Sequence, residues 1–281
     1  MNAIEIRGLN KTYEGFKLDN INLDIPTGSI VGLVGENGAG KSTMIKLIMD
    51  AIERDGGNVN VLGIDNKDEL FTELKNEIGV VLDEAYFPEI LNAKDVNLIM
   101  KATYNNWNQE KYYDLINKFN LPEARKFKEY SRGMKMKLVI SVALSHEAKL
   151  LILDEATSGL DPMIRDEVLN VFYEFTREDE HTILLSSHIV SDLEKICDYI
   201  AFTHNGKLVF MEEKDKLLED YAIIKANKEE LTDIPEESII SKRENKYSYE
   251  VLVHRDQVSD SINKEHITLE DIILFIAKEG M

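Results

Sequence analysis

Residues 35–43, with the letters GENGAGKST, constrain this chain more than any other segment. They fit the pattern G-x-x-x-x-G-K-[ST], in which glycines let backbone N–H groups turn toward a β-phosphate. Residues 30–34 precede the segment as a buried strand would, and residues 43–49 follow it with helical spacing. This order is what the pattern requires, because the N-terminus of the following helix adds partial positive charge. The segment therefore predicts a nucleoside triphosphate site.

Individual residues of this phosphate loop have separate expected roles. Lys41 is expected to reach the β- and γ-phosphates and to take part in catalysis, and the Ser42 hydroxyl is expected to ligate Mg²⁺. The alternative, a glycine turn that happens to precede a lysine, is less favoured because a strand and a helix flank the segment. The residues that we predict to bind the nucleotide here are Gly35, Asn37, Gly38, Gly40, Lys41, Ser42 and Thr43.

The bulk properties disfavour several other classes of protein. The formal net charge of −19 over 281 residues argues against binding to nucleic acid or to anionic lipid. No apolar run approaches the roughly 18 residues of a membrane span, and the first residues lack the layout of a secretion signal. The single cysteine, Cys197, cannot form an internal disulfide, which agrees with a reducing compartment. We expect a cytoplasmic protein, or one member of a complex whose partner is basic.

Alternating strand-like and helix-like segments predict an α/β fold, a P-loop NTPase core with a mainly parallel sheet. Antiparallel strands are expected before the phosphate loop, and a helical subdomain is expected as an insertion at about residues 89–137. The composition changes after about residue 214. We therefore predict a nucleotide-binding domain over residues 1–214 and a small α+β accessory or dimerisation domain over residues 215–281. In the latter the pattern predicts strands at 222–226 and 247–253 and a helix at 268–278.

Two acids and a histidine follow apolar runs downstream of the phosphate loop. Asp154 and Glu155 end the run 150–153, and His188 comes shortly after the run 182–185. Asp154 is expected to hold Mg²⁺ directly or through water, and Glu155 to accept a proton from an attacking water. His188 is expected to hydrogen-bond the γ-phosphate, because ligands lie at the carboxyl ends of such strands.

Each of these patterns is weak when it stands alone. The two acids then read as a strand that stops at a polar loop, and His188 as a satisfied structural histidine. The phosphate loop in the same chain changes this balance, because hydrolysis of a triphosphate needs a metal ligand, a base and a phosphate contact. Together they predict a catalytic set of Lys41, Glu155 and His188.

One further segment makes the chain resemble the ATP-binding cassette (ABC) family, from about residue 4 to residue 211. Residues 130–135, YSRGMK, stand just before the acidic strand and open a predicted helix. They are similar to the signature loop of that family, L-S-G-G-Q, in which Ser131 and Gly133 are the matching residues.

The resemblance implies nucleotide contacts outside the phosphate loop. Asp161 matches the D-loop of the family. Tyr13 is similar to the aromatic residue that stacks on adenine. The contacts implied in this way are Tyr13, Ser131, Arg132, Gly133 and Asp161.

The family likeness also implies cofactors and partners. ATP and Mg²⁺ would bind between two copies of the chain packed head to tail, with each ATP between one phosphate loop and the second copy's signature loop. A separate transmembrane permease would dock near residues 83–88, which places the protein at the cytoplasmic face of the cell membrane. Tyr86 and Phe87 are expected to anchor the permease; the alternative is that both rings pack inside the helical subdomain.

Two residues depart from the pattern of the family. Asp83 stands where the family usually has a glutamine that touches Mg²⁺, so that the predicted metal ligands are Ser42, Asp83 and Asp154. The charge of Asp83 would also repel an uncovered γ-phosphate. We hypothesise that Arg132, which replaces a glycine, faces the partner's γ-phosphate and offsets Asp83. The alternative is that Arg132 points to solvent and Asp83 caps its loop.

The leading functional hypothesis is the ATPase subunit of a membrane exporter. Asp83 and the signature segment resemble a Gram-positive group that handles bacitracin, lantibiotics and phenol-soluble-modulin peptides. The alternative is a cytosolic cassette ATPase that moves no cargo, of the assembly-scaffold type. A P-loop kinase or a GTPase is less favoured, because neither needs a second phosphate loop at residues 131–133 or a sensor such as His188.

Overall fold

The computed structural model describes residues 1–83, 87–178, 180–246, 248–259 and 261–279, and for residues 278 and 279 it describes the backbone alone. Strands supply the frame on which the phosphate loop is held. In chain order they are β1 (Asn2–Tyr13), β2 (Phe16–Pro26), β3 (Ile30–Val34), β4 (Gly56–Val61), β5 (Ile64–Asp65), β6 (Ile78–Val81), β7 (Leu150–Asp154), β8 (Thr182–Ser187), β9 (Tyr199–His204), β10 (Lys207–Glu213), β11 (Tyr221–Ala226), β12 (Ile239–Glu244) and β13 (Tyr249–His254).

Helices connect most of these strands. The α-helices are α1 (Lys41–Ile48), α2 (Phe71–Leu74), α3 (Ala93–Thr103), α4 (Gln109–Lys118), α5 (Arg132–Leu144), α6 (Pro162–Phe175), α7 (Val190–Ile196), α8 (Lys214–Asp220) and α9 (Leu269–Glu279). Short 3₁₀ turns lie at Lys75–Glu77, Phe127–Glu129, Glu230–Asp233, Glu236–Ser238 and Arg255–Gln257. Within the ranges described, none of the helices has the length and apolar character needed to cross a bilayer.

The central sheet has the strand order β10-β9-β3-β8-β7-β6. All neighbours pair in parallel except β10, which pairs antiparallel with β9 at the edge. Every residue of β3 and of β7 is buried. This agrees with their mostly apolar sequences, which are typical of strands covered on both faces. The predicted α/β core with a mainly parallel sheet is confirmed. Parallel pairing also brings the carboxyl ends of β3, β6, β7 and β8 to one edge.

A second sheet, of order β2-β1-β4-β5, is antiparallel and includes the strands expected before the phosphate loop. Helix α1 lies between the two sheets. Its buried residues Met44, Ile45 and Ile48 share one apolar cluster with inward residues of β1 and of the central strands. Burial on both sides fixes the direction in which α1 leaves the phosphate loop.

Helices α3, α4 and the start of α5 form the expected helical insertion between β6 and β7. Asn92 and Asp95 form a reciprocal cap at the start of α3, and the Tyr112 hydroxyl donates to the buried Ala93 carbonyl at 2.9 Å. Helix α5 continues past residue 137, where the subdomain was predicted to end. Its later residues are buried against β6, so one helix belongs to the insertion at its start and to the core at its end.

The C-terminal part contains an antiparallel sheet of order β11-β13-β12 and the helices α8 and α9. Sequence analysis predicted β11, β13 and α9 but missed β12 and α8. The strand β12 reads IISKRE, in which only the first two residues are apolar, and it forms because β13 pairs with it. Tyr247, where the predicted second strand began, lies outside the described residues. The division into domains at residue 214 stays a prediction.

Candidate nucleotide site

A cavity of about 710 Å³ opens at the carboxyl edge of the central sheet. The phosphate loop, the acid after β7 and the histidine after β8 meet there, although they are far apart in the sequence. Parallel register explains this meeting, because Val34 pairs with Ser187 and Asp154 pairs with Ser186. The lining residues are Gly15, Phe16, Asn37, Gly38, Gly40, Lys41, Ser42, Thr43, Asp83, Glu155, Ser158 and His188.

Lys41 is held at the centre of the phosphate loop. Its ammonium donates to the carbonyls of Gly35 at 2.7 Å and Glu36 at 3.3 Å, and it lies 3.9 Å from Oε1 of Glu155. Only 6% of the residue is exposed. Burial lowers the pKa of Lys41, whereas the charges of Glu155 and Asp154 act to raise it. The result is a buried cation bound by carbonyls that an incoming phosphate can replace.

The end of the phosphate loop requires glycine. Gly40 has a φ of +104°, and a Cβ placed there would lie 2.8 Å from the Phe16 ring. Gly40 precedes α1 and has no side chain that could cap the helix. No acidic residue occupies the first turn of α1 either. The first N–H groups of α1 are thus available to an anion, as the phosphate-binding pattern requires.

The two acids at the end of β7 have different surroundings. Asp154 is buried, and its Oδ1 accepts a hydrogen bond from the Ser186 hydroxyl at 2.5 Å. Glu155 has a φ of +53°, an uncommon conformation that turns its side chain toward the cavity. Its Oε2 accepts a hydrogen bond from Nδ1 of His188 at 2.6 Å. Glu155 therefore stands between Lys41 and His188, where it can contact both a phosphate and a water.

Of the predicted metal ligands, Ser42 and Asp83 line the cavity, whereas Asp154 is buried and is not among the described lining residues. Hydroxyl and carboxylate oxygens are the donors that Mg²⁺ prefers. No group of three or more histidine, cysteine or acidic residues forms a protein-only metal site among the residues described. A magnesium ion here would complete its shell with phosphate oxygens and water, as is usual for this ion.

The predicted signature and D-loop residues lie at two adjacent helix starts. The Ser131 hydroxyl accepts from the Met134 N–H at the start of α5, and Oδ1 of Asp161 accepts from the Ile164 N–H at the start of α6. Gly133 is buried against Ile164, so the two helix starts are in contact. Neither Ser131, Gly133 nor Asp161 is among the described residues that line the cavity.

Arg132 and Tyr13 have positions that the sequence did not reveal. The Arg132 guanidinium lies 3.2 Å from Oδ1 of Asp83 in the same chain, so Arg132 does not simply point to solvent. Tyr13 is 44% exposed at the end of β1 and pairs across the turn with Phe16, which lines the cavity. The adenine contact of Tyr13 stays a prediction.

The cavity lining also includes Gly15, Phe16 and Ser158, which were not predicted from the sequence. Ser186, also not predicted, supports the site by donating its hydrogen bond to Asp154. A signal existed for Ser186, because two serines end an otherwise apolar strand and parallel pairing sets the first beside Asp154. The sequence indicated Ser158 more weakly, because it stands only three positions after Glu155. Phe16 had no local signal, since its approach to Gly40 depends on how the second sheet covers the loop.

Comparison with known proteins decides the family. A family profile described as ABC transporter matches residues 18–158. The chain belongs to the ABC transporter family. It is an ATP-binding protein of that family and an ATPase.

Several curated relatives cover most of the chain. It is 31% identical over 219 residues to the ABC transporter ATP-binding protein YtrB of Bacillus subtilis, which covers 78% of this chain and 74% of YtrB. It is 34% identical over 215 residues to the lantibiotic transport ATP-binding protein SrtF of Streptococcus pyogenes. This match covers 75% of this chain and 91% of SrtF. The bacitracin transport ATP-binding protein BcrA of Enterococcus faecalis is 34% identical over 211 residues. This match covers 74% of this chain and 68% of BcrA.

Solved structures have the same fold. An ATP-binding subunit of an ABC transporter superposes with a TM-score of 0.69 at 27% identity, covering 76% of this chain and 91% of that one. A dimeric post-hydrolysis state of the cassette MJ0796, bound to ADP and Pi, gives a TM-score of 0.67 at 22% identity, with 75% and 98% covered. At that identity the second likeness concerns the fold alone.

Lys41→Ala is expected to weaken nucleotide binding about 10- to 100-fold, because hydrogen bonds from a charged donor are lost at the phosphates. Titration with a fluorescent ATP analogue measures this change. Lys46→Ala is the matched control, since Lys46 is exposed on the same helix. Unchanged affinity in Lys41→Ala would contradict the phosphate-binding role.

Glu155→Gln is expected to bind ATP with nearly the affinity of the parent protein and to hydrolyse it about 10²–10⁴ times more slowly. The amide keeps the shape of the side chain but cannot accept the proton of the attacking water. Release of inorganic phosphate measures the rate, and Glu178→Gln, at an exposed position, serves as the control. Hydrolysis at the parental rate would rule out Glu155 as the base.

Proposed function

We propose that this chain is the ATPase subunit of a membrane transporter that exports antimicrobial or amphipathic peptides. The observation that carries the proposal is the match to SrtF and BcrA, which are named for the transport of a lantibiotic and of bacitracin. The alternative, a cytosolic cassette ATPase without cargo, is not favoured, because these relatives are named as transport proteins. The working place of the protein would be the cytoplasmic face of the membrane.

The proposed working form is a head-to-tail homodimer that closes around two ATP molecules. Ser131 and Gly133 stand at the start of α5, a helix of 13 residues, outside the cavity of their own chain. A serine hydroxyl and free amides at a helix start form an incomplete anion site, which a second copy's nucleotide would complete. The cassette MJ0796, which has the same fold, is described as dimeric.

The proposed metal is Mg²⁺, held by Ser42 and Asp154 together with the phosphates, whereas Asp83, the third predicted ligand, is paired with Arg132. The ion would neutralise charge on the β- and γ-phosphates. Asp154 is kept in place for this by its hydrogen bond from Ser186. Glu155, fixed by His188 on one side, would take the proton of the attacking water.

The proposed permease contact lies beside residues 83–88. Tyr86, one of the two predicted anchors, lies outside the described residues. The ring of Phe87 packs edge-on against Phe127, with 5.7 Å between the ring centroids. This contact agrees with the alternative prediction for Phe87, that its ring packs inside the helical subdomain. Exposed apolar side chains follow instead at Ile90 and, on α3, at Leu98 and Ile99. We assign the docking surface to these residues, since apolar anchors suit an entering helix.

Glu155→Gln is expected to convert from a monomer of 32.1 kDa to twice that mass when Mg²⁺ and ATP are added, and to stay monomeric with ADP. Slow hydrolysis keeps both nucleotides in the closed interface. Size-exclusion chromatography with light scattering measures the mass. A strictly monomeric protein at high concentration with saturating ATP would contradict the dimer.

Glu substitutions at both Ile90 and Leu98 are expected to abolish co-purification with a membrane chain while ATP binding stays unchanged, because charges prevent apolar docking. Affinity purification from solubilised membranes of the native host measures the association. Val209→Glu, at another exposed apolar position on β10, is the control. If the parent protein partitions wholly to the cytosol without a membrane partner, the transporter function is wrong.

A further inference from the structure

An ion pair within the chain joins the nucleotide cavity to the signature segment. Asp83 lines the cavity after β6, and Arg132 is the first residue of α5. Oδ1 of Asp83 lies 3.2 Å from Nη2 of Arg132, although the two residues are 49 positions apart in the chain. Both side chains remain more than half exposed, at 54% and 55%. The pair is therefore formed at the surface and is free to exchange partners.

The guanidinium of Arg132 also rests on the D-loop. A Cβ placed on Gly159 would lie 2.8 Å from Cζ of Arg132, and Gly159 has a φ of +66°, so the position favours glycine for two reasons. Arg132 thus contacts two loops of its own chain. Asp161, two positions after Gly159, caps the start of α6.

The position of Asp83 creates an electrostatic problem for nucleotide binding. A carboxylate that lines the same cavity as Lys41 repels the γ-phosphate unless a cation offsets its charge. Arg132 of the same chain supplies that cation in the structure. When two copies close head to tail, however, the start of each α5 must turn toward the second copy's ATP.

We propose that closure exchanges this ion pair between chains: Asp83 releases Arg132 of its own chain and takes the partner's Arg132. The incoming guanidinium would contact the γ-phosphate and Asp83 together, so that neither anion is left uncompensated. This inference rests on the proposed dimer. It makes Arg132 a nucleotide-contacting residue and Asp83 the residue that positions it.

Physical chemistry favours the exchange in the closed state. An ion pair between exposed side chains contributes little to stability, so the pair within one chain is easily broken. In a closed interface the same charges lose water and interact more strongly. A guanidinium can bind a phosphate and a carboxylate at once, because its donors form a planar fork. Every pair that is lost within a chain is regained across the interface.

Charge reversal separates pairing within a chain from pairing between chains. In the Glu155→Gln background, Asp83→Lys alone and Arg132→Glu alone are each expected to weaken ATP-dependent dimerisation at least about tenfold. An equimolar mixture of the two variants can form a mixed dimer with an opposite-charge pair at each nucleotide but none within either chain. We expect the mixture to associate at least about threefold more tightly than either variant alone, because one of its two nucleotides keeps the native pair of Asp83 and Arg132.

The result that would overturn the exchange is specific. If the ion pair acts only within one chain, the double variant Asp83→Lys/Arg132→Glu will dimerise but the mixture of single variants will not. Analytical ultracentrifugation with differently labelled chains measures the mixed species. If the Glu155→Gln parent dimerises while the mixture fails, only the exchange is wrong. If the parent itself stays monomeric, the proposed dimer is wrong and the exchange with it.

A second exposed ion pair provides the matched control. Lys118 and Glu174 are about as exposed as the proposed pair, and they lie outside the residues of the cavity. Reversing each of their charges is expected to leave ATP-dependent dimerisation unchanged in single and mixed samples. Thermal unfolding of every variant shows whether the chain is folded, and equal midpoints assign the loss of association to the interface.

Discussion

The parallel register of β3, β8 and β7 is the constraint on which the site depends. It sets Val34 beside Ser187 and Asp154 beside Ser186, so the loops that follow these strands start at one edge of the sheet. A slip of one residue would turn the acids away from the phosphate loop. The buried apolar runs on both faces of these strands hold that register. The chemistry of the nucleotide site is thus a consequence of how the core is packed.

Local charge and total charge act differently in this protein. The chain carries a formal net charge of −19, yet its central cavity is suited to a polyanion. The buried ammonium of Lys41 and the free amides at the start of α1 act at contact distance, where their field outweighs that of distant surface acids screened by salt. Glu155 and Asp154 partly balance Lys41 and act to raise the pKa that burial lowers. Lys41 is therefore a cation positioned to meet an incoming phosphate.

The C-terminal part is connected to the site through α7, the helix that follows His188. The Leu269 N–H at the start of α9 donates to the Glu194 carboxylate on α7 at 3.0 Å. Apolar residues of α9 join the same cluster as Leu193 and Ile196 of α7, and Lys195 forms an ion pair with Asp166 on α6. Helix α7 thus lies between α6 and the C-terminal helix α9.

The sequence alone determined the phosphate loop, the acids at the end of β7, His188 and the mainly parallel α/β core. These depend on local backbone chemistry and on apolar runs, which a sequence displays directly. Tertiary structure decided the rest. Strand β12 exists because β13 pairs with it, and Phe16 reaches the cavity because a second sheet covers Gly40. The contact of Asp83 with Arg132 joins residues 49 positions apart. No local pattern encodes such a distance, because it is set by the packing of the helical insertion against the sheet.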